Sequence, residues 1–396
     1  MKKVTLVVLS ALFVLPLGAE TFAYKQETGS RYRILSVVDE DVYVNRRFSH
    51  RAHILNRVAV EVGEVKNGVA RHSAVFQTSE QAEGRGRGFQ WAEEYTSVFD
   101  RDSQGYMTID ASYFMPVVRD VPVFPARDLA EGETWSAEGH EMHDFRKSFG
   151  IEKPYCIPFT ARYVFVGTRQ WKGKSYPAFS VSYRIFHEPD PVPGTVWPRR
   201  ILGSSDQIVY WDSEMGQATA YEEQFRIILE LSSGGIIEYR GSAEAEIIES
   251  EIMDKEDAAR EIGEAIKDLG LNDASVRIDE GGITISLEDI QFLPDSALLR
   301  ESEKEKLDKI GVILAKYAGR DILVSGHTAL AGTAAGRQQL SQQRAAAVSD
   351  YLIGKNYRAP EQVVVRGFGA EKPVAPNNTE AGMRRNRRVE ITILEN

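Results

Sequence analysis

His140-Glu141-Met142-His143 and the pair His50 and His53 each set two imidazoles three residues apart. Two such pairs have the makings of a metal site. Both stretches read as strand or turn, however, and residues i and i+3 of a strand point to opposite faces. The four are therefore read as surface or turn histidines, and no metal is expected. A single cysteine, Cys156, excludes an intrachain disulfide and every multi-cysteine zinc site. No G-x-S-x-G, H-E-x-x-H or phosphate-loop motif is present, and no nucleophile–base or carboxylate pair stands out. The expectation is a protein that is not an enzyme and needs no cofactor. Two basic stretches remain. Gly84-Arg85-Gly86-Arg87-Gly88 reads as a flexible loop, and Arg384-Arg385 with Arg387-Arg388 forms a cluster close to many carboxylates.

The elements that would position these residues come in two kinds. From Tyr24 to about Ser250 the chain reads as β. Arg31–Val44, Val58–Val65, Phe159–Gly167 and Ser180–Phe186 are rich in Val, Tyr, Phe and Ile and are bounded by Gly, Asp and Asn. After Gly216, Phe225, Ile227, Leu229 and Leu231 alternate with Arg226 and Glu230. Ser232-Ser233-Gly234-Gly235 then supplies a turn, and Ile237, Tyr239, Ala243 and Ala245 alternate on the return. Period two with one charged face predicts a half-buried antiparallel hairpin. Many prolines, Pro116, Pro122, Pro125 and Pro154 among them, interrupt the segment and argue against regular lipid-facing strands. The aromatics Tyr106, Tyr113, Phe114, Phe124 and Trp135 are read as core. An antiparallel β sandwich or open barrel is expected for 24–250, with a role that these residues do not disclose.

From Asp254 the period changes. Ala258, Ile262, Ala265, Ile266 and Leu269 have helical spacing, and Gly270 marks a stop. Strands are expected at Ser275–Ile278, Ile283–Leu287, Ile322–Ser325, Gln362–Gly367 and Arg388–Leu394. Helices are expected at Glu301–Tyr317 and Gln338–Ile353. Strands alternating with helices predict helices layered on a sheet. The chain as a whole is thus expected to be an α+β multidomain protein whose halves, 24–250 and 254–396, fold separately.

The first residues read as an address. Met1-Lys2-Lys3 is basic, Val4 to Leu17 is nearly all apolar, and Thr21 and Ala23 are small residues placed as a signal peptidase requires. A leader over 1–23 is expected, with cleavage after Ala19 as the other choice. With 48 Lys and Arg against 58 Asp and Glu, the net charge is −10. An acidic chain binds nucleic acid poorly, so no nucleic-acid partner is expected.

Four ordered blocks in the last third resemble the OmpA-like domain, the family that holds outer-membrane proteins and lipoproteins to peptidoglycan. Ile290-Gln291-Phe292-Leu293-Pro294-Asp295-Ser296-Ala297 resembles its opening strand and loop, and Ser325-Gly326-His327-Thr328 its G-H-T block. Leu340-Ser341-Gln342-Gln343-Arg344-Ala345 matches L-S-x-x-R-A. Gly367-Phe368-Gly369 and Asn386-Arg387-Arg388-Val389-Glu390 match the late blocks. The resemblance runs from about 282 to 393 and implies an OmpA-like α/β sandwich. It also implies recognition of the peptidoglycan stem peptide. In the family an Asp after G-H-T holds the ammonium of the diamino acid, and the Arg of L-S-x-x-R-A holds its carboxylate. A guanidinium suits a carboxylate because it donates two parallel hydrogen bonds.

Arg344 keeps that position, but residue 329 is Ala. Gly336-Arg337 stands where the family often has Tyr-Asn. The site implied by the resemblance comprises Thr328, Ala329, Arg337, Arg344 and Arg387. The resemblance implies a periplasmic location at the outer membrane or wall, peptidoglycan as partner, and other envelope proteins as possible partners. Loss of the Asp leaves a second expectation open: a structural or interaction protein whose module no longer binds the wall.

Overall fold

The computed structural model describes residues 19–81, 86–249, 253–279, 281–288, 290 and 299–395. Most of the expected leader, part of the Gly84–Gly88 loop and the block after Ile290 lie outside the described residues.

The first half is built from long strands: β1 (Arg31–Val44), β2 (Arg47–Lys66), β3 (Val69–Gln81) and β4 (Phe89–Asp102). The short β5 (Met107–Ile109) and β6 (Val118–Arg119) follow, then β7 (Thr134–His143) and a single turn of helix, α1 (Arg146–Phe149). The half is completed by β8 (Tyr155–Trp171), β9 (Lys174–His187), β10 (Pro198–Asp212), β11 (Gln217–Leu231) and β12 (Ile236–Glu249). Tight turns fix several of the hairpins. Asn45-Arg46, Asn67-Gly68 and Lys172-Gly173 each place two residues at positive φ, which matches the twist of the flanking strands.

All pairings in this half are antiparallel, and β1 lies between β2 and β12. The spatial order is β5-β4-β3-β2-β1-β12-β11-β10-β9-β8-β7-β6. The expected hairpin after Gly216 is β11 with β12, in register from Ala220↔Glu246 to Glu230↔Ile236. A core rich in aromatics forms around Phe124, Tyr163, Phe179 and Trp211. Of the aromatics read as core from the sequence, Phe124 is fully buried, but Tyr106 is exposed and Phe114 borders a cavity instead.

The second half contains α2 (Lys255–Asp268), β13 (Ala274–Asp279), β14 (Gly282–Glu288), α3 (Glu301–Ala315) and β15 (Ile322–Gly326). It continues with α4 (Ala334–Gly354), β16 (Val363–Gly367), α5 (Glu380–Asn386) and β17 (Arg388–Leu394). Side-chain caps set the helix starts. Asp254 accepts from the Asp257 amide at 2.9 Å, Thr333 from Gly336 at 3.1 Å and Thr379 from Gly382 at 3.0 Å. Strand order is β13-β14-β17-β15-β16, antiparallel except for β15 with β16. Helices α2, α3 and α4 bury Ile262, Leu307, Ile310 and Val348 against Ile285, Val324 and Ile391 of the sheet. Among the described residues no helix is long and apolar enough to cross a membrane.

The halves were expected to be independent, yet strand pairing runs between them. The start of β4 pairs in parallel with β16, Val364 facing Phe89 and Val365 facing Gln90. The physical reason is the free edge of β16, whose backbone groups require partners when covered. Arg57 of β2 reinforces the junction. It bonds Asp321 at 2.7 Å, with both side chains largely buried, and also donates to the Glu361 carbonyl.

Candidate functional site

The G-H-T block leaves the end of β15 and turns over the sheet. Its backbone is fixed on both sides. His327 N–H donates to the Arg388 carbonyl at 3.0 Å, and Thr328 N–H to the Gly369 carbonyl at 2.8 Å. The Phe368 amide in turn donates to the Gly326 carbonyl at 2.9 Å. Three sequence blocks that lie far apart in the chain therefore meet at one edge of the sheet. Helix α4 closes the arrangement from above. Ser341 Oγ accepts from the Gly369 amide at 2.9 Å, and Gln338 Nε2 donates to the Gly367 carbonyl at 2.8 Å. The approach is close enough to require glycine. A Cβ on Gly326 would overlap the Ser341 carbonyl, and one on Gly367 would lie 2.6 Å from the Gln342 amide nitrogen.

The expected site residues take the following places. Thr328 and Ala329 sit side by side in the turn after β15, both buried, with Leu330 exposed beyond them. The Leu330 amide donates to Asn377 Oδ1 at 3.0 Å. Arg337 and Arg344 are seven residues apart on α4, hence on one face of the helix, with Ser341 between them. Ser341 is the residue bonded to Gly369, so this stripe borders the G-H-T turn. Arg344 is half-buried. Arg337 donates to the Gly332 carbonyl at 2.6 Å, which ties it to its own loop. Arg387 pairs with Glu380 at 3.0 Å.

Beneath the turn lies a cluster of buried charges that the sequence reading missed. Glu390 accepts from Arg388 Nε at 2.6 Å and from Arg277 Nη2 at 2.8 Å, and His327 Nε2 lies 3.4 Å from it. Burial pushes the Glu390 carboxyl up. The hydrogen bonds from His327 and Arg277 and the Arg388 charge outweigh that and hold it well below the usual carboxylate range. Burial lowers the pKa of His327, and the nearby Arg388 charge adds to this. The imidazole stacks on Phe368, ring centroids 5.2 Å apart. Phe368 carries Lys372 on its ring at 4.4 Å and Arg366 at 4.6 Å. His327 is thus a buried support of the turn. A signal for this cluster existed: Arg388, Glu390 and Thr392 alternate with Val389, Ile391 and Ile393, which puts the polar three on one face. Asn386 is a second missed support. Fully buried, it accepts from the Val374 and Ala375 amides at 2.8 and 3.0 Å and holds the loop that leads to α5.

The convergence of these blocks on one turn agrees with the family comparison. Residues 291–387 match the model of the OmpA family. These residues belong to the OmpA family. Outer membrane porin F of Pseudomonas fluorescens is 35% identical over 105 residues, which are 26% of this chain and 32% of that protein. Peptidoglycan-binding protein ArfA of Mycobacterium bovis is 33% identical over 104 residues, 26% of this chain and 32% of that one. Among solved structures, an outer membrane protein of Borrelia burgdorferi B31 is 34% identical and covers 31% of this chain and 96% of its own, with a TM-score of 0.26. This chain spans about a third of the length of the porin F relatives it matches.

Proposed function

We propose that this is an exported envelope protein that attaches to, or organises around, peptidoglycan through its OmpA-family domain. The observation that carries the reading is the OmpA-family match over residues 291–387, with a peptidoglycan-binding protein among the relatives. The protein acts in the periplasm, at the outer membrane or wall, as a binder and not as an enzyme. Its β half is read as an open barrel made of one continuous antiparallel sheet.

The binding pocket is an altered one. Arg344 receives the stem-peptide carboxylate, and Ala329 stands where the family's Asp would hold the ammonium. Thr328, Arg337 and Arg387 border the same turn. Without the Asp the site suits an anion better than a zwitterion, and one charge-assisted hydrogen bond is lost. That bond is worth about 1.5–3 kcal/mol, or roughly ten- to a hundredfold in affinity.

Sedimentation of the full chain with purified sacculi tests the reading. Native protein is expected to co-sediment, and less so as salt is raised, because a near-surface ionic contact is screened. Ala329→Asp should raise affinity about tenfold for sacculi whose stem peptides carry a diamino acid. Arg344→Ala should remove the binding while leaving the fold intact. If neither the native protein nor Ala329→Asp binds, the module is an assembly element that joins envelope proteins. If Arg344→Ala binds like native, the wall is held by another surface.

A further inference from the structure

The β half holds a partly open cavity of about 770 Å³, lined only by residues that precede Ser250. That volume lies within the range of small-molecule sites. Its wall is one face of the curved sheet. Ile34 of β1, Val58 of β2, Phe76 of β3, Tyr95 of β4, Val209 of β10 and Tyr221 of β11 all border it. Residues two apart, such as Ile34 and Ser36 or Asn56 and Val58, line it together, as alternation in a strand requires. Met115 and Val121 of the segment before β7 complete the lining. That segment is fastened to the sheet, with Ser97 Oγ donating to the Met115 carbonyl at 2.6 Å.

The lining is mostly apolar but also carries charged side chains, the acidic Glu27, Glu93, Glu214 and Glu246 and the basic Lys25, Arg31 and Arg101. Several other polar groups are neutral or already partnered. Burial pushes His72 down to about 4, so its ring is uncharged at neutral pH, and pushes Tyr221 up to about 12. Glu223 accepts from Ser205 Oγ at 2.6 Å and from Gln207 at 3.3 Å. Arg101 differs. Its guanidinium lies 5.0 Å from the Tyr24 ring centroid and 5.6 Å from that of Phe99, its Nη2 donates to Met107 Sδ at 3.3 Å, and it makes no ion pair among the described residues. Its Nε is buried without a hydrogen-bond partner. So is Oε1 of Gln26, whose amide nitrogen lies 3.4 Å from the Arg101 carbonyl. A buried guanidinium nitrogen that lacks an acceptor, beside a buried oxygen that lacks a donor, is costly unless something supplies both.

We propose that this cavity binds an amphiphile with an acyl chain and an anionic head, the chain lying along the sheet's apolar face and the head meeting Arg101. A carboxylate or phosphate oxygen supplies an acceptor to Arg101 Nε, and a glycerol hydroxyl supplies a donor to Gln26 Oε1. Free fatty acids and glycerophospholipids share the chain and the acidic head. This inference is independent of wall binding.

Titration of the full chain, freed of its leader, with a dansyl-labelled fatty acid tests it. Saturable binding of one probe per chain is expected, with displacement by palmitate, by lysophosphatidylglycerol or by both. Displacement by palmitate alone assigns a free fatty acid, and displacement by the lysolipid alone or more tightly assigns a phospholipid. Hexadecanol, with the same chain and no charge, should displace at least tenfold more weakly. Arg101→Gln should erase that preference for the acid while leaving the alcohol's affinity unchanged. Val58→Trp, which fills the cavity from its wall, should weaken the probe at least tenfold in protein whose circular dichroism matches native. Absence of saturable binding overturns the proposal. So does a pair of variants, Arg101→Gln and Val58→Trp, that both titrate like the native chain.

Discussion

Glu390 shows what a single buried residue does for the candidate site. It joins Arg388 and Arg277 in an ionic cluster beneath His327 of the G-H-T turn, and Glu390 and Arg388 are each less than a tenth exposed. Replacing it with Gln leaves Arg388 buried without a carboxylate, which costs about 3–5 kcal/mol by analogy with other broken buried pairs. The pH dependence follows from the sign of the shift. A carboxyl held below its unfolded value stabilises the fold fully above about pH 4.3 and loses that contribution as pH falls toward the folded value. His327 acts in the same direction. Its pKa is lowered, so below about pH 6.5 the unfolded chain takes up the proton first and stability declines. Urea unfolding of native and Glu390→Gln proteins should therefore show a wide gap at pH 7 that narrows at pH 3.5. A gap that stays constant with pH would mean that the cluster's charge has no part in stability.

At the scale of elements, the parts most legible in the sequence were those fixed by local pattern. The spacing of Ala258, Ile262 and Ile266 became the buried face of α2, and the alternation in Arg388–Leu394 became β17. Helix α4 begins at Ala334, four residues before the expected start, because Thr333 caps it. Its first turn is exposed and so carries no apolar period to read. The aromatics near Pro116 misled for a related reason: an apolar residue that lines a cavity has the same sequence signature as one in a core. The junction of β4 with β16 was illegible because it rests on Phe89 and Gln90 meeting an edge more than 270 residues away. Gly88 makes that meeting feasible. A Cβ there would lie 2.5 Å from Ser349 Oγ and 3.0 Å from Val365 Cγ2. Gly88→Val should push β4 off β16 and uncouple the halves. Calorimetry is expected to give one transition for native protein and two for the variant. Two transitions in the native protein would show that the shared edge does not couple the halves.

The whole molecule bears on where the expected leader would end. A leader ending at Ala23, the boundary expected from the sequence, would remove Phe22. That side chain is 2% exposed and packs edge-on against Phe165 and Phe179, at 5.2 and 4.8 Å between centroids, and against Phe124 at 5.7 Å. Glu20 pairs with Leu129 in both directions, at 3.0 and 2.9 Å. The next residues tie the molecule together further. The Tyr24 amide donates to Ser103 at 2.8 Å, and the Lys25 amide donates to Gly216 at 2.9 Å. The stretch from Glu20 to Lys25 therefore belongs to the folded β half, and a cut after Ala19 preserves it. Losing a buried Phe costs about 3–5 kcal/mol, a large share of the stability of an ordinary domain. N-terminal sequencing of the protein recovered from the envelope should begin at Glu20, and Phe22→Ala should lower stability by that amount in urea. A mature chain that begins at Tyr24 and is as stable as one beginning at Glu20 would place Phe22 outside the functional fold and restore the later boundary.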